Sequence, residues 1–156
     1  MIILGIDPGL SNTGYGLIRY EKKKIEVIDY GCILTHKKDT FSFRIKKIYY
    51  KIKELIEKHN PRDVAIEEIF FNKNVRSALI VSKVQGMVAI TVALMEVELY
   101  EYTPLQIKQA TVGNGRAEKH QVQSMVKILL NLSKIPQPDH AADALAVAIC
   151  HVHTKY

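Results

Sequence analysis

Cysteine is scarce in this chain. Cys32 and Cys150 are the only two among 156 residues, far apart and outside any CxxC pattern. That excludes a disulfide framework and a zinc-thiolate site. A leader pattern is missing too: Met1 runs directly into "IILGI", with no basic n-region or cleavage motif, so no signal peptide is expected. The most apolar stretch, Val84 to Met95, is interrupted by Gln85 and is too short to span a bilayer. There is no internal repeat, low-complexity tract or linker-like segment. No Ser-His-Asp or Cys-His arrangement for nucleophilic catalysis stands out. These absences leave a cytoplasmic protein with no membrane partner as the expectation.

What is present suits one domain over residues 1–156. Hydrophobic residues make up 47% and charged residues 24%, a balance that supports a packed core. Lys and Arg outnumber Asp and Glu by 22 to 16, for a net charge of +6. Such an excess fits a polyanionic partner such as nucleic acid, and equally fits plain solubilising charge.

The order of elements predicts an α/β fold. "IILGID", "YGLIRYE" and "IEVIDYGCILTH" read as three strands, and their short connections allow only antiparallel pairing. Apolar residues at Phe41, Ile45, Ile48, Ile52, Leu55 and Ile56 recur at helical spacing, and Asn60-Pro61 ends that helix. "DVAIEE" is a buried-type strand. A long helix is expected over Val75–Glu96, apolar on most faces, and therefore buried in the core, against another chain, or both. "VELYEY" is a fifth strand. Thr103-Pro104 reads as an N-cap with Pro at the first helical position, and that helix stops near Gly113. An amphipathic helix from "RAEKHQVQSMVKILLN" and a final helix from near Asp139 complete a mixed sheet with helices packed on it.

Acids stand at the ends of two strands. Asp7 and Glu67 each close an apolar strand, and carboxyl ends of strands are where ligand groups converge in such sheets. Asp7 before Pro-Gly is also an ordinary turn initiator. Glu67 has no such role, and Glu68 beside it points to the opposite face. The last helix opens with "PDHAADAL". Asp139 is expected as its N-cap. His140 and Asp143, spaced i,i+3, share a face, and Asp143 would also gain from the helix dipole. Three carboxylates and an imidazole suit Mg²⁺, with Mn²⁺ also plausible, better than Zn²⁺. Two such ions bridged by carboxylates are a standard device for phosphodiester hydrolysis.

Four segments together resemble one family. "ILGIDPGLSNTGYG", "AIEEIFFNKN", "QIKQATVGNGRAEKHQVQ" and "PDHAADALAVAICH" are similar, in order and spacing, to the bacterial Holliday-junction resolvases of the RuvC family. The resemblance covers essentially the whole chain. It implies a ribonuclease H-like fold: a mixed five-stranded sheet, three antiparallel strands followed by parallel ones, flanked by helices. It implies a homodimer that nicks four-way DNA junctions symmetrically with Mg²⁺, in partnership with the RuvA–RuvB branch-migration machine. By the same resemblance Asp7, Glu67 and Asp143 are the catalytic carboxylates. His140 stands where many members have Asp and some have His; a metal ligand, a water-positioning group and a proton shuttle all remain open for it. Lys108 and Lys119 match basic positions that hold backbone phosphates, while Lys73 and Arg76 are further phosphate candidates. Phe70 matches an aromatic used against junction bases; core burial is the plainer reading for Phe71, and which of the two faces DNA stays open.

Two other readings are weighed. "GIDPGLSNTG" also resembles the first phosphate loop of the actin and sugar-kinase fold, but those proteins need two such domains and a far longer chain. A non-catalytic DNA-binding protein would explain the charge but not the convergent acids, which repel phosphate unless metal intervenes.

Overall fold

A computed structural model of the chain describes residues 1–68 and 75–156. Three strands come first: β1 (Ile2–Asp7), β2 (Asn12–Glu21) and β3 (Lys24–Leu34). Then follow α1 (Phe41–His59), β4 (Asp63–Glu67), α2 (Val75–Leu94) and β5 (Glu98–Tyr102). Helices α3 (Pro104–Val112), α4 (Lys119–Leu129) and α5 (Asp139–Lys155) complete the order. The sheet runs β3-β2-β1-β4-β5. β1 pairs antiparallel with β2, and β2 with β3. β4 runs parallel to both β1 and β5.

The local signals act as the sequence suggests, with two corrections. Thr103 and Gln106 form a capping box at the start of α3, and Gly113 ends that helix with φ 79°. Asn60 closes α1 in the left-handed region, its N–H donating to the Ile56 carbonyl. Helix α2 stops at Leu94, not Glu96. Glu96 takes φ 56°, and the Val97 N–H donates back to the Val92 carbonyl at 3.2 Å, a Schellman-type stop. The second correction concerns Asp139. Pro138 is the N-cap of α5 and has no capping side chain, so Asp139 lies already inside the first turn.

Side-chain alternation along the strands sorts the core into two layers. Leu4, Ile6, Leu17, Val64 and Ile66 pack on one face with residues of α1 and α2. Ile3, Ile18 and Ala65 pack on the other with residues of α3, α4 and α5. Because the strand period is two, Asp7 shares the face of Ile3 and Gly5, and Glu67 shares the face of Ala65. Both acids therefore point toward the α5 side of the sheet.

Helix α5 lies close against that side because both surfaces are small. A methyl group at Gly5 would strike the backbone oxygen of Ala144, and one at Gly14 that of His140. At Gly16 it would meet Leu145 at 2.8 Å. The helix answers with alanines: Ala141, Ala142, Ala144, Ala146 and Ala148 are all essentially inaccessible. The glycines thus set how near His140 and Asp143 come to Asp7.

The far end of α5 is held by a buried polar network. The His151 ring is 0% exposed. Its Nε2 lies 3.0 Å from Asp63 Oδ2 and its Nδ1 2.8 Å from the Tyr102 hydroxyl. Asp63 also accepts from Lys155 Nζ at 3.2 Å and from the Tyr156 hydroxyl at 2.7 Å. Burial would raise the Asp63 carboxyl, but the hydrogen bonds from His151, Tyr156 and Lys155 outweigh it and hold it below its usual range. Burial holds the His151 imidazole below its ordinary 6.5, against the pull of Asp63. Both shifts have one sign: the unfolded chain takes up these protons first, so acid favours unfolding. Taken alone, this network loses stability as pH drops below about 6.5, and again on entering the carboxylate range. Glu67, His140 and Asp143 shift in the opposite direction, so the check is the signed difference in urea midpoint change from pH 7.5 to 5.5 between wild type and His151→Gln. Over that step wild type should lose more stability, or gain less, than His151→Gln; equal changes would contradict the network's role.

Helix α2 is apolar well beyond the stretch Val84–Met95. It spans 20 residues, with a mean hydropathy of 1.7 over an 18-residue window of which 28% is buried. Length and composition alone would let it cross a bilayer, so the shortness of Val84–Met95 is not a sound exclusion. Ala78, Val84, Val88, Thr91 and Val92 form its buried side.

Candidate metal-binding active site

Parallel pairing of β1 with β4 ends at Ile6 opposite Ile66, which leaves Asp7 and Glu67 side by side at the carboxyl edge. The first turn of α5 supplies the rest. Asp7 Oδ2 lies 2.7 Å from His140 Nδ1. Ligand atoms of Asp7, His140 and Asp143 all fall within 4.8 Å of one another, close enough to share a cation. The i,i+3 spacing of His140 and Asp143 puts them on one helix face, as expected.

Electrostatics bind Glu67 to the same cluster. Burial, together with the charges of Asp7 and Asp143, pushes its carboxyl up to about 7. Burial also raises the Asp143 carboxyl, against the nearby Lys119 cation. Lys119 Nζ lies 3.0 Å from Asp143 Oδ2 and 3.6 Å from Asp139 Oδ2. Those acids outweigh desolvation and raise the lysine above its ordinary value. The His140 imidazole is raised as well, chiefly by its hydrogen bond to Asp7. A carboxylate only accepts, so His140 Nδ1 carries the proton in that bond.

The donor chemistry fits a divalent cation. Acids crowd until one of them sits near neutrality, and the chain's own cations already lean on the others. Like charges this close call for a proton or a cation between them. Oxygen donors with one imidazole suit a hard ion.

A cavity of about 310 Å³ opens beside the acids. Glu67, Asp143, Lys108 and Lys119 line it, over an apolar floor that includes Ile107 and Val122. Lys119 is the first residue of α4, where the helix dipole disfavours a cation, and its two carboxylate partners supply the compensation. Arg76 is exposed in the first turn of α2. Phe70, Phe71 and Lys73 lie outside the described residues. The contact of Asp139 with Lys119 was not read from the sequence, and neither was the role of the glycines facing α5. A Gly-rich strand opposite an Ala-rich helix is the signal for the latter.

Carboxylates at the ends of neighbouring parallel strands, met by the first turn of a helix laid on a 3-2-1-4-5 sheet, define a ribonuclease H-like nuclease. Residues 3–151 match the family model described as crossover junction endodeoxyribonuclease RuvC. The corresponding protein of Alkaliphilus metalliredigens is 56% identical over 156 residues, covering 100% of this chain and 95% of that one. The solved structure of Thermus thermophilus RuvC in complex with a Holliday junction substrate superposes with a TM-score of 0.92 at 33% identity, covering 98% of this chain and 93% of that one. The fowlpox virus Holliday junction resolvase, at 14% identity and a TM-score of 0.65 over 99% of both chains, shares the fold. The chain belongs to the RuvC family of crossover junction endodeoxyribonucleases.

Proposed function

We propose that this chain resolves four-way DNA junctions by nicking two strands symmetrically, as a homodimer with two Mg²⁺ ions in each active site. The observation that carries this reading is the approach of Asp7, His140 and Asp143 within 4.8 Å, beside a Glu67 pushed up to about 7 by burial and their charge. In the proposed site Asp7, Glu67, His140 and Asp143 hold the ions. Divalent ions there supply a reactive water at neutral pH and stabilise charge on the phosphodiester oxygens.

The remaining steps fall to the chain's own groups. His140 steers Asp7 through its Nδ1 hydrogen bond, which leaves Nε2 as the ring nitrogen available to a cation or a water. Lys119 neutralises Asp143 and Asp139 until substrate arrives, then turns with Lys108 toward the phosphates flanking the cut. Both lysines border the cavity of Glu67 and Asp143, within reach of a backbone laid across it. Arg76 and Lys73 extend the phosphate track. Phe70 stacks on a junction base, a contact worth about 1–3 kcal/mol.

The dimer reading rests on α2. Val75, Leu79, Ile90 and Leu94 are 52–71% exposed. At 100° per residue they fall within a stripe of roughly 100°, opposite the buried side. Gly86 lies in that stripe and has nothing within 4 Å of an added methyl, which lets another helix approach closely. A second copy explains this face better than a bilayer, because the other side of the helix packs on the sheet. Partnership with RuvA and RuvB and a cytoplasmic location complete the proposal, in a chain that folds as one nuclease domain.

The test is a synthetic four-way junction with labelled strands. Paired nicks at symmetric positions are expected with Mg²⁺ or Mn²⁺, and none in excess EDTA. Undiminished cleavage under chelation would sink the reading.

A further inference from the structure

We infer that Gln85 is a positioning residue for Glu67, holding the end of β4 from helix α2. The inference rests on the reading of Glu67 as a metal-holding carboxylate. Its physical basis is the backbone at the end of the strand. Glu68 N–H donates to the Tyr102 carbonyl at 2.8 Å, so β5 secures one side of the peptide that joins Glu67 to Glu68. The Glu67 carbonyl on the same peptide points the other way, toward the β1 side. There the ladder has run out: β1 and β4 pair only as far as Ile6 and Ile66. Gln85 Nε2 fills the gap, donating to the Glu67 oxygen at 2.6 Å. Both polar atoms of that peptide are thereby fixed, and with them the direction of the Glu67 side chain.

The residue type is what makes the contact telling. Gln85 interrupts an apolar run, between the buried Val84 and Val88. An apolar residue of the same length would pack there equally well, and the strand end could turn its carbonyl to water. A strand end held only on the β5 side would let the Glu67 carboxylate swing against the repulsion of Asp7 and Asp143. Gln85 opposes that swing through the Glu67 backbone carbonyl. It also ties Glu67 to the helix that carries the proposed dimer face.

The test measures Mn²⁺ binding to the full chain without DNA, by calorimetry, for wild type, Gln85→Leu, Gln85→Glu and Glu67→Gln. Junction nicking is followed in parallel as kcat and KM, and unfolding as Tm. Gln85→Leu removes the donor at similar volume, and Gln85→Glu sets an acceptor against the carbonyl. Both are expected to weaken Mn²⁺ binding about tenfold, the lower end for groups that orient metal ligands. Nicking kcat should fall in step, with KM for the junction unchanged. Mn²⁺ affinity at the wild-type level in both Gln85 variants, whether or not Tm drops, would overturn the inference while leaving Glu67 in place. Wild-type Mn²⁺ affinity in Glu67→Gln would instead overturn the reading of the site itself, and the inference with it.

Discussion

Asp7→Asn and Glu67→Gln are each expected to lower junction cleavage on the order of 10³-fold, the several kcal/mol that a correctly held metal supplies. Binding of the uncut junction should survive or tighten. Each substitution removes a negative charge from a face that must receive phosphate, and each keeps the side chain's shape. The Glu67 variant carries a second, independent signature. Its carboxyl rises from 4.5 to about 7 in the metal-free fold, from burial and from the charges of Asp7 and Asp143. A carboxyl raised on folding contributes its stability below the unfolded value and loses it as pH climbs through the folded one. That shift corresponds to about 3 kcal/mol, lost between roughly pH 4.5 and pH 8. Glu67→Gln abolishes the titration, so the metal-free variant should be more stable than wild type at pH 8 and not at pH 4.5. Added Mg²⁺ or Mn²⁺ should stabilise wild type far more than the variant. Urea midpoints at the two pH values, with and without metal, read all of this. A variant that cleaves at the wild-type rate, or gains no stability at pH 8, would remove Glu67 from the site.

The trade of stability for reactivity explains why the site sits where it does. Asp7 and Glu67 are the last residues of strands whose four preceding positions are buried, so the sheet fixes their separation. Helix α5 brings the other two proposed ligands on a rod buried from Ala141 to Val152, apart from Asp143. Rigid elements hold the like charges together, and the core behind them supplies the free energy that repulsion takes away.

Much of this was legible in the residues. The short apolar runs of "IILGID" and "DVAIEE", each closing in an acid, place Asp7 and Glu67 at strand ends, and the i,i+3 spacing pairs His140 with Asp143. Those are local patterns, carried by run composition and helical period. Asp139 was misread for a physical reason. Capping preference favours Asp, but Pro138 takes the extended cap position with φ −71° and ψ 171°, and Asp139 turns to Lys119 across the gap between α4 and α5. That contact, at 3.6 Å between two half-exposed side chains, is tertiary, and local capping preference does not encode it. Gln85 was seen only as a break in an apolar run, because its partner is a backbone carbonyl 18 positions away. No periodicity encodes such a contact. The contacts of Gly5 and Gly14 with α5 were hidden likewise, since they arise only when helix and sheet meet.

Ile90→Glu and Gly86→Leu on α2 should separate the proposed dimer from the fold, and with it paired cleavage from single cleavage. Ile90 is 56% exposed in the isolated chain, so a charge there should change the stability of one copy by no more than about 0.5 kcal/mol. Facing a second copy, the same charge loses its water without gaining a partner. That costs about 2–5 kcal/mol, roughly 30- to 4000-fold in the dimer Kd. Two-fold symmetry repeats the substitution on the partner and pushes the effect toward the upper end. Gly86→Leu sharpens the contrast because its two effects have opposite signs. Open space around Gly86 and the better helix propensity of leucine should stabilise a single copy by up to about 1 kcal/mol. The same side chain fills the close approach between helices and drives them apart. Sedimentation should show monomers at concentrations where wild type is dimeric, with an unchanged or higher Tm for Gly86→Leu. On the junction each monomer still carries Asp7, Glu67, His140 and Asp143, so single nicks should persist while coordinated pairs disappear. If both variants sediment as dimers and still deliver paired nicks, the α2 face is not the interface.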